Sequence, residues 1–161
     1  MKSMKKSGGF TLIETLIVVV FFAALLLFTI SQSPQLKFMY NSFIFQWQHS
    51  DVVTAVERWK KGRSNYDGAT INKVCLDGAL SPKLCGSAND GKGTNQFGGD
   101  WTVKANASSK GLFDVTATIP ADSDRIPNLA DTLAPSTRAG CTEATGCSTI
   151  TTTANSITTT H

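Results

Sequence analysis

The sequence predicts an α+β fold in which a long apolar N-terminal helix precedes a small antiparallel sheet with disulfide-stapled loops. Three observations lead to this expectation. The apolar residues are concentrated in one run at residues 10–30, two alternating segments after residue 100 have the pattern of strands, and four cysteines lie beyond the apolar run. The part of the 161-residue chain that remains for a globular domain is therefore small.

Residues 1–9 form a short basic segment that carries Lys2, Lys5 and Lys6 and no acidic residue. Positively charged segments stay on the cytoplasmic side of a membrane, so whatever follows the apolar run is expected to be translocated. The predicted topology places the N-terminus inside the cytoplasm and the C-terminus outside it.

The apolar run at residues 10–30 is interrupted only by threonines and by Glu14. A helix of that length covers ~30 Å, which is the hydrocarbon thickness of a bilayer. A carboxylate within such a segment costs about 2.5–3.5 kcal/mol on insertion scales. We therefore expect Glu14 to have a function.

A cleaved signal peptide is the competing interpretation, since Ser31-Gln32-Ser33 is a conceivable small-x-small cleavage site. In that case the product would be a secreted binding module. Three features count against it: the apolar run is longer than a signal-peptide core, it contains an acid, and Pro34 follows the site immediately.

The junction between the basic segment and the apolar run reads Gly-Gly-Phe-Thr-Leu-Ile-Glu at residues 8–14. This motif closely resembles the prepilin peptidase site of type IV pilins and of type II secretion pseudopilins. The resemblance implies cleavage after Gly9, N-methylation of the new terminus Phe10, and a pilin fold. It also implies a leader at residues 1–9, a transmembrane and filament-core helix at 10–33, and an extracytoplasmic domain at 34–161 that includes the amphipathic half of the helix.

A carboxylate in lipid needs a cation, and the new amine of Phe10 on a neighbouring subunit is the nearest candidate for Glu14. Docking would remove two uncompensated charges together and set the axial stagger between subunits. The alternative is a protonated, neutral Glu14 that is hydrogen-bonded within its own helix.

Helical spacing of apolar residues continues to about Lys61. Pro34 predicts a kink or a melted turn near the start of this segment, and Glu57 with Lys61 forms a favourable i,i+4 pair before a left-handed cap at Gly62. We expect the aromatic residues of the helix, among them Phe43, Phe45 and Trp47, to pack against the sheet.

Beyond this helix, the pattern predicts a loop region with a brief helix at residues 71–80, then a β-hairpin made of residues 101–105 and 113–119, and a short helix at 125–133. The Ser/Thr-rich residues 149–159 fit either a last strand or a flexible tail. This globular half loosely resembles type IVb pilins, whereas the short leader and Phe10 resemble type IVa pilins.

Four cysteines in an exported domain predict two disulfides, with three possible connectivities. We favour Cys75–Cys85 with Cys141–Cys147, because each pair brackets a turn and closes a short loop. The rival scheme is a long-range pairing that ties the C-terminal segment to the middle of the domain.

Other classes of function find little support in the sequence. A net charge of +3 is too small and too scattered for a nucleic-acid-binding face. With two histidines and no nucleophile or phosphate-loop motif, no enzymatic activity and no cofactor are expected. The cysteine spacings differ from those of zinc sites, and we expect no metal. Side chains weighed and set aside are His49 (a polar surface residue), His161 (the terminal residue), and the calcium candidates Asp122, Asp124, Asn89 and Asp90.

Two functions remain after these exclusions. The first is a structural subunit, major or minor, of a type IV pilus that serves adhesion, motility or DNA uptake; the second is a pseudopilin of a type II secretion system. Two disulfides and a Thr-rich C-terminal segment favour the pilus. The implied partners are other copies of the chain or related pilins, a prepilin peptidase, an inner-membrane assembly platform, and membrane lipid before assembly.

We expect the mature chain to begin at N-methylated Phe10, which mass spectrometry of the N-terminus can establish. A chain that begins at Met1 or Pro34 would contradict this expectation. The variant Gly9→Leu should accumulate as uncut precursor held in the membrane, because a bulky residue blocks the cleavage site.

Overall fold

The computed structural model describes residues 12–77 and 80–161, which form two compact units, one ending at Tyr40 and the other spanning Asn41–His161. The basic leader, the cleavage site at Gly9 and the methylation site at Phe10 lie outside the described residues. The fold is a mixture of helices and one small antiparallel sheet, with an apolar N-terminal helix and two disulfides.

Helix α1 spans Leu12–Gln32 and helix α2 spans Pro34–Lys60, so the helical chain breaks at Ser33. Pro34 lacks an N–H and suits the first position of a helix. Ser33 caps α2, because its carbonyl accepts a hydrogen bond from the Lys37 N–H at 3.1 Å and its hydroxyl accepts one from the Leu36 N–H at 3.4 Å. The interruption expected at Pro34 thus takes the form of one capped break.

The end of α2 differs from the expectation. Lys61 adopts the left-handed conformation, with φ of 48°, so the prediction that Gly62 would do so is wrong. The Lys61 ammonium group lies 3.1 Å from the carboxylate of Asp77, and the expected pairing of Lys61 with Glu57 does not form. Because the chain turns at Lys61 itself, the side chain leaves the helical register that an i,i+4 pair requires.

The sheet contains β1 (Trp101–Ala105), β2 (Phe113–Thr118), β3 (Ile150–Thr152) and β4 (Ser156–Thr160) in the order β1-β2-β4-β3, with every neighbouring pair antiparallel. The predicted hairpin is confirmed as β1 and β2. The Thr-rich segment is ordered and forms a second hairpin, whose strand β4 lies at the centre of the sheet. Its inward residues, Ile157 and Thr159, are both 1% exposed.

Threonines extend across the opposite face of the sheet. The strand register aligns Thr102, Thr116, Thr158 and Thr151 in one row across all four strands, and these side chains are exposed or half-buried. The hydroxyl oxygens of Thr116 and Thr158 are 2.8 Å apart. Threonine is β-branched and polar, so it suits a strand whose side chains face solvent, and this explains why a Thr-rich segment folds here.

The core lies between the inner face of the sheet and helices α2 and α5, the latter spanning Ile126–Leu133. Phe45 of α2 is fully buried; its ring stacks on Trp101 with centroids 5.2 Å apart and meets Phe97 edge-on at 5.4 Å. Phe43 and Trp47 are 56% and 60% exposed, so the expectation that they pack against the sheet is wrong. The aromatic residues of α2 occupy two faces of the helix.

The brief helix expected at residues 71–80 is confirmed as α3 (Ile71–Leu76), and a second short helix, α4 (Pro82–Cys85), follows it. The disulfides join Cys75 to Cys85 and Cys141 to Cys147, which is the local scheme. The first links α3 to α4 and is buried, whereas Cys141 of the second is half-exposed in a surface loop. Each short loop is therefore closed by its own covalent bond.

Candidate functional site

The surface of α1 is both strongly apolar and exposed. Its segment Leu12–Thr29 has a mean hydropathy of 2.7, and none of it is buried. By length and composition this helix can cross a membrane, although a signal sequence near an N-terminus would meet the same criterion. Apolar area of this extent requires a cover of lipid or protein.

Three hydroxyl side chains of α1 are hydrogen-bonded to carbonyl groups of the same helix. The hydroxyl of Thr15 donates to the Leu12 carbonyl at 2.8 Å, that of Thr29 to the Leu25 carbonyl at 2.9 Å, and that of Ser31 to the Phe28 carbonyl at 2.7 Å. A segment in an apolar environment must satisfy its polar groups internally, and these bonds do so. The hydroxyls therefore do not prevent α1 from lying in lipid or in a packed helix bundle.

Glu14 lies in the first turn of α1, where its side chain is exposed. A carboxylate at this end of a helix is stabilised by the positive end of the helix dipole. Of the residues that the sequence assigns to assembly, Glu14 is described in the structure, whereas Gly9 and Phe10 lie outside the described residues.

A second candidate surface lies within the Asn41–His161 unit. The exposed rings of Phe43 and Trp47 meet edge-on, with centroids 5.9 Å apart. Beside them is a groove of about 450 Å³, lined by Gln46, Trp47, His49, Ser50, Val53, Ser136 and His161. Gln46, one of these lining residues, donates a hydrogen bond to the Thr132 carbonyl of α5 at 3.1 Å.

His49 is 2% exposed, so the prediction that it is a surface residue is wrong. Its Nε2 atom lies 2.8 Å from the Thr159 hydroxyl, and its ring contacts Trp101 with centroids 6.1 Å apart. The sequence contained a signal for this position: His49 follows Phe45 by four residues and precedes Val52 by three, which places it on the buried face of α2.

His161 completes the same cluster, a role that sequence reasoning missed. Its Nε2 atom lies 3.1 Å from the Thr159 hydroxyl, and its ring is 5.2 Å from the ring of His49 and 5.4 Å from that of Phe113. The order of the C-terminal strand, which the sequence left open, determines this position. No local pattern in the sequence indicates that the two histidines meet.

Both imidazoles are neutral near pH 7. Burial, together with the smaller effect of the nearby His161 ring, lowers the pKa of His49 to about 3. Burial also lowers the pKa of His161 to about 4, against the opposing influence of the Asp114 carboxylate. Each ring therefore acts as an uncharged hydrogen-bonding group in the folded chain.

Within residues 12–77 and 80–161, no group of three or more His, Cys, Asp or Glu side chains is placed to hold a metal ion. All four cysteines are in disulfides, so none is available as a thiolate ligand. Among the calcium candidates, Asp90 forms an ion pair with Lys92 at 3.2 Å, and the hydrogen bond from Lys92 lowers the pKa of Asp90.

Comparison with models of protein families, with curated proteins and with solved structures found no match to this chain.

The two aromatic faces of α2 lead to a testable contrast. We expect Phe45→Ala to lower the free energy of unfolding by about 3–5 kcal/mol, because it opens a cavity against Trp101. Phe43→Ala should change it by less than about 0.5 kcal/mol, as surface substitutions usually do. Urea unfolding followed by tryptophan fluorescence measures both variants, and equal losses would contradict the assignment of Phe43 to an outer face.

Proposed function

We propose that this chain is a structural subunit of a type IV pilus, held in the inner membrane by α1 before assembly and packed into the filament by the same helix afterwards. The observation that carries this proposal is the unburied segment Leu12–Thr29 with a carboxylate in its first turn. The Gly9-Phe10 junction that precedes it in the sequence supports the same conclusion.

An apolar helix of this length gains free energy when it leaves water, at about 25 cal/mol for each Å² of apolar area that is covered. Lipid covers α1 while the chain is anchored in a membrane. Once the chain leaves the bilayer, only other apolar helices can provide an equivalent cover, and copies of this chain or related pilins supply them. Filament assembly is thus an exchange of lipid contacts for helix contacts.

Glu14 determines the axial stagger at which neighbouring subunits pack during this exchange. Cleavage by a prepilin peptidase after Gly9 would create an amine on Phe10, and an amine beside the Glu14 carboxylate of a neighbouring subunit would neutralise both charges. An isolated charge in an apolar environment is costly, and a paired one is less so. Subunits displaced along the axis would lose this pairing, so the pair selects one stagger at the assembly platform.

The Asn41–His161 unit has the properties of a domain outside the cytoplasm. Both of its disulfides need an oxidising compartment, which agrees with the C-out topology expected from the basic leader. On the outer face of its sheet, Thr151 of β3 is exposed and Thr158 of β4 is half-buried. Such a surface suits an exposed fibre that serves adhesion, motility or DNA uptake.

A pseudopilin of a type II secretion system is the second candidate, since the same N-terminal features would serve a short periplasmic filament. The two disulfides and the Thr-rich outer face favour the pilus. Imaging of surface filaments in cells with and without this chain distinguishes the two. Loss of long fibres, or a fall in their number, supports the pilus, whereas unchanged fibres with impaired secretion support the pseudopilin.

We expect Glu14→Ala to insert into the membrane at least as well as the natural chain and to fail in filament assembly. The substitution removes the insertion cost of the carboxylate together with the partner of the Phe10 amine. Membrane fractionation and the yield of sheared filaments measure the two effects separately.

Thr15→Ala is the matched control. It removes a polar group next to Glu14, but the Thr15 hydroxyl is already bonded to the Leu12 carbonyl of the same helix. Filament yield should be unchanged in this variant. A normal filament yield from Glu14→Ala would remove the intersubunit role of the carboxylate.

A further inference from the structure

The end of strand β4 contacts two imidazoles, of which that of His49 is buried and that of His161 is half-buried. Thr159, which is 1% exposed, lies between His49 of α2 and His161, with its hydroxyl 2.8 Å from one Nε2 atom and 3.1 Å from the other. The same hydroxyl is 3.3 Å from the Val115 carbonyl of β2. One side chain thus joins α2, β2 and β4.

The Thr159 hydroxyl cannot donate a hydrogen bond to all three of its neighbours at once. The hydroxyl of Thr159 has one proton to donate and two lone pairs that accept. If it donates to Val115, both imidazoles must donate N–H groups to it; if it donates to one imidazole, the other must donate to it. Both rings can be neutral in either arrangement, and in the first the hydroxyl also keeps its hydrogen bond to the Val115 carbonyl.

A positive charge would disturb this arrangement. His49 contacts Trp101, Thr159 and His161, and none of these three side chains carries a charge that could compensate an imidazolium. His161 packs on Phe113, and the Asp114 carboxylate of β2 is the charged group whose field acts on it. A second imidazolium 5.2 Å from the first would add repulsion.

We propose that His49, Thr159 and His161 form an acid-sensitive clamp, which holds the end of β4 against α2 while both imidazoles are neutral and opens when they are protonated. The two imidazoles line the groove beside Trp47, so a protonated ring has a path to water there. This proposal does not depend on the proposed function.

Opening of the clamp would affect the central strand of the sheet. His161 exchanges two backbone hydrogen bonds with Phe113, at 2.9 and 3.1 Å, and the Thr160 carbonyl accepts one from the Arg138 N–H at 3.0 Å. These bonds secure β4 to β2 and to the segment that follows α5. When the imidazoles leave their positions, this end of the sheet loses its attachment to α2.

The direction of the pH dependence follows from the folded pKa values of about 3 for His49 and about 4 for His161, both below the ordinary value of 6.5. Above pH 6.5 the folded and unfolded chains are both neutral at these rings. As the pH falls below 6.5, the unfolded chain binds protons that the folded chain does not, so stability falls. The unfolding constant should rise about tenfold per pH unit for His49, and less for the partly exposed His161.

The test is urea unfolding of the full chain in detergent micelles at several values between pH 7 and pH 5, where most carboxylates stay ionised. We expect the unfolding constant of the natural chain to rise by at least tenfold over this range. His49→Gln keeps a hydrogen-bonding side chain but cannot titrate, so its unfolding constant should change much less. Ser50→Ala, which alters the same groove without removing a titrating group, should behave like the natural chain.

An unfolding constant of the natural chain that does not change with pH would overturn the proposal, as would an equal pH dependence in His49→Gln. If His49→Gln does not fold, NMR titration of the two imidazoles in the natural chain decides the matter. Rings that stay neutral at pH 5 support the clamp, and a ring that titrates near pH 6.5 in the folded chain overturns it.

Discussion

The exposed apolar surface of α1 is unfavourable in water, and the internally bonded hydroxyls of this helix are consistent with an apolar environment. The segment Leu12–Thr29 is wholly unburied, while its hydroxyls are bonded to its own backbone. An apolar helix that is exposed in this way gains free energy when lipid or other helices cover it. In the proposed function, the same surface of α1 contacts lipid before assembly and other helices in the filament. Glu14 would gain the amine of a neighbouring subunit as its partner in the filament.

Helix α2 combines two kinds of contact in one element. Phe45 and His49 face the sheet and hold the Asn41–His161 unit together, whereas Phe43 and Trp47 remain exposed on another face. The unit is stabilised by its own core and two local disulfides, so it does not need the exposed aromatic face for folding. That face is therefore available for contacts between chains, and neighbouring subunits of the proposed filament would supply them.

Sequence reasoning succeeded where local chemistry decides the structure. Pro34 breaks the helix, alternation marks β1 and β2, and short loops favour the two local disulfides. It failed where distant segments meet. The central position of β4 depends on pairing with β2 across the chain, and the burial of His49 follows from that pairing through Thr159. At the end of α2 the chain turns one residue before Gly62, at Lys61, whose ion pair with Asp77 no local pattern in the sequence indicates.

Cryo-electron microscopy of filaments sheared from cells that produce this chain tests the proposed assembly most directly. A reconstruction should contain α1 in the filament core, with the Glu14 carboxylate of each subunit within ion-pair distance of the N-terminal amine of a neighbour. Filaments that lack this chain, or that carry α1 on their outer surface, would contradict the proposal.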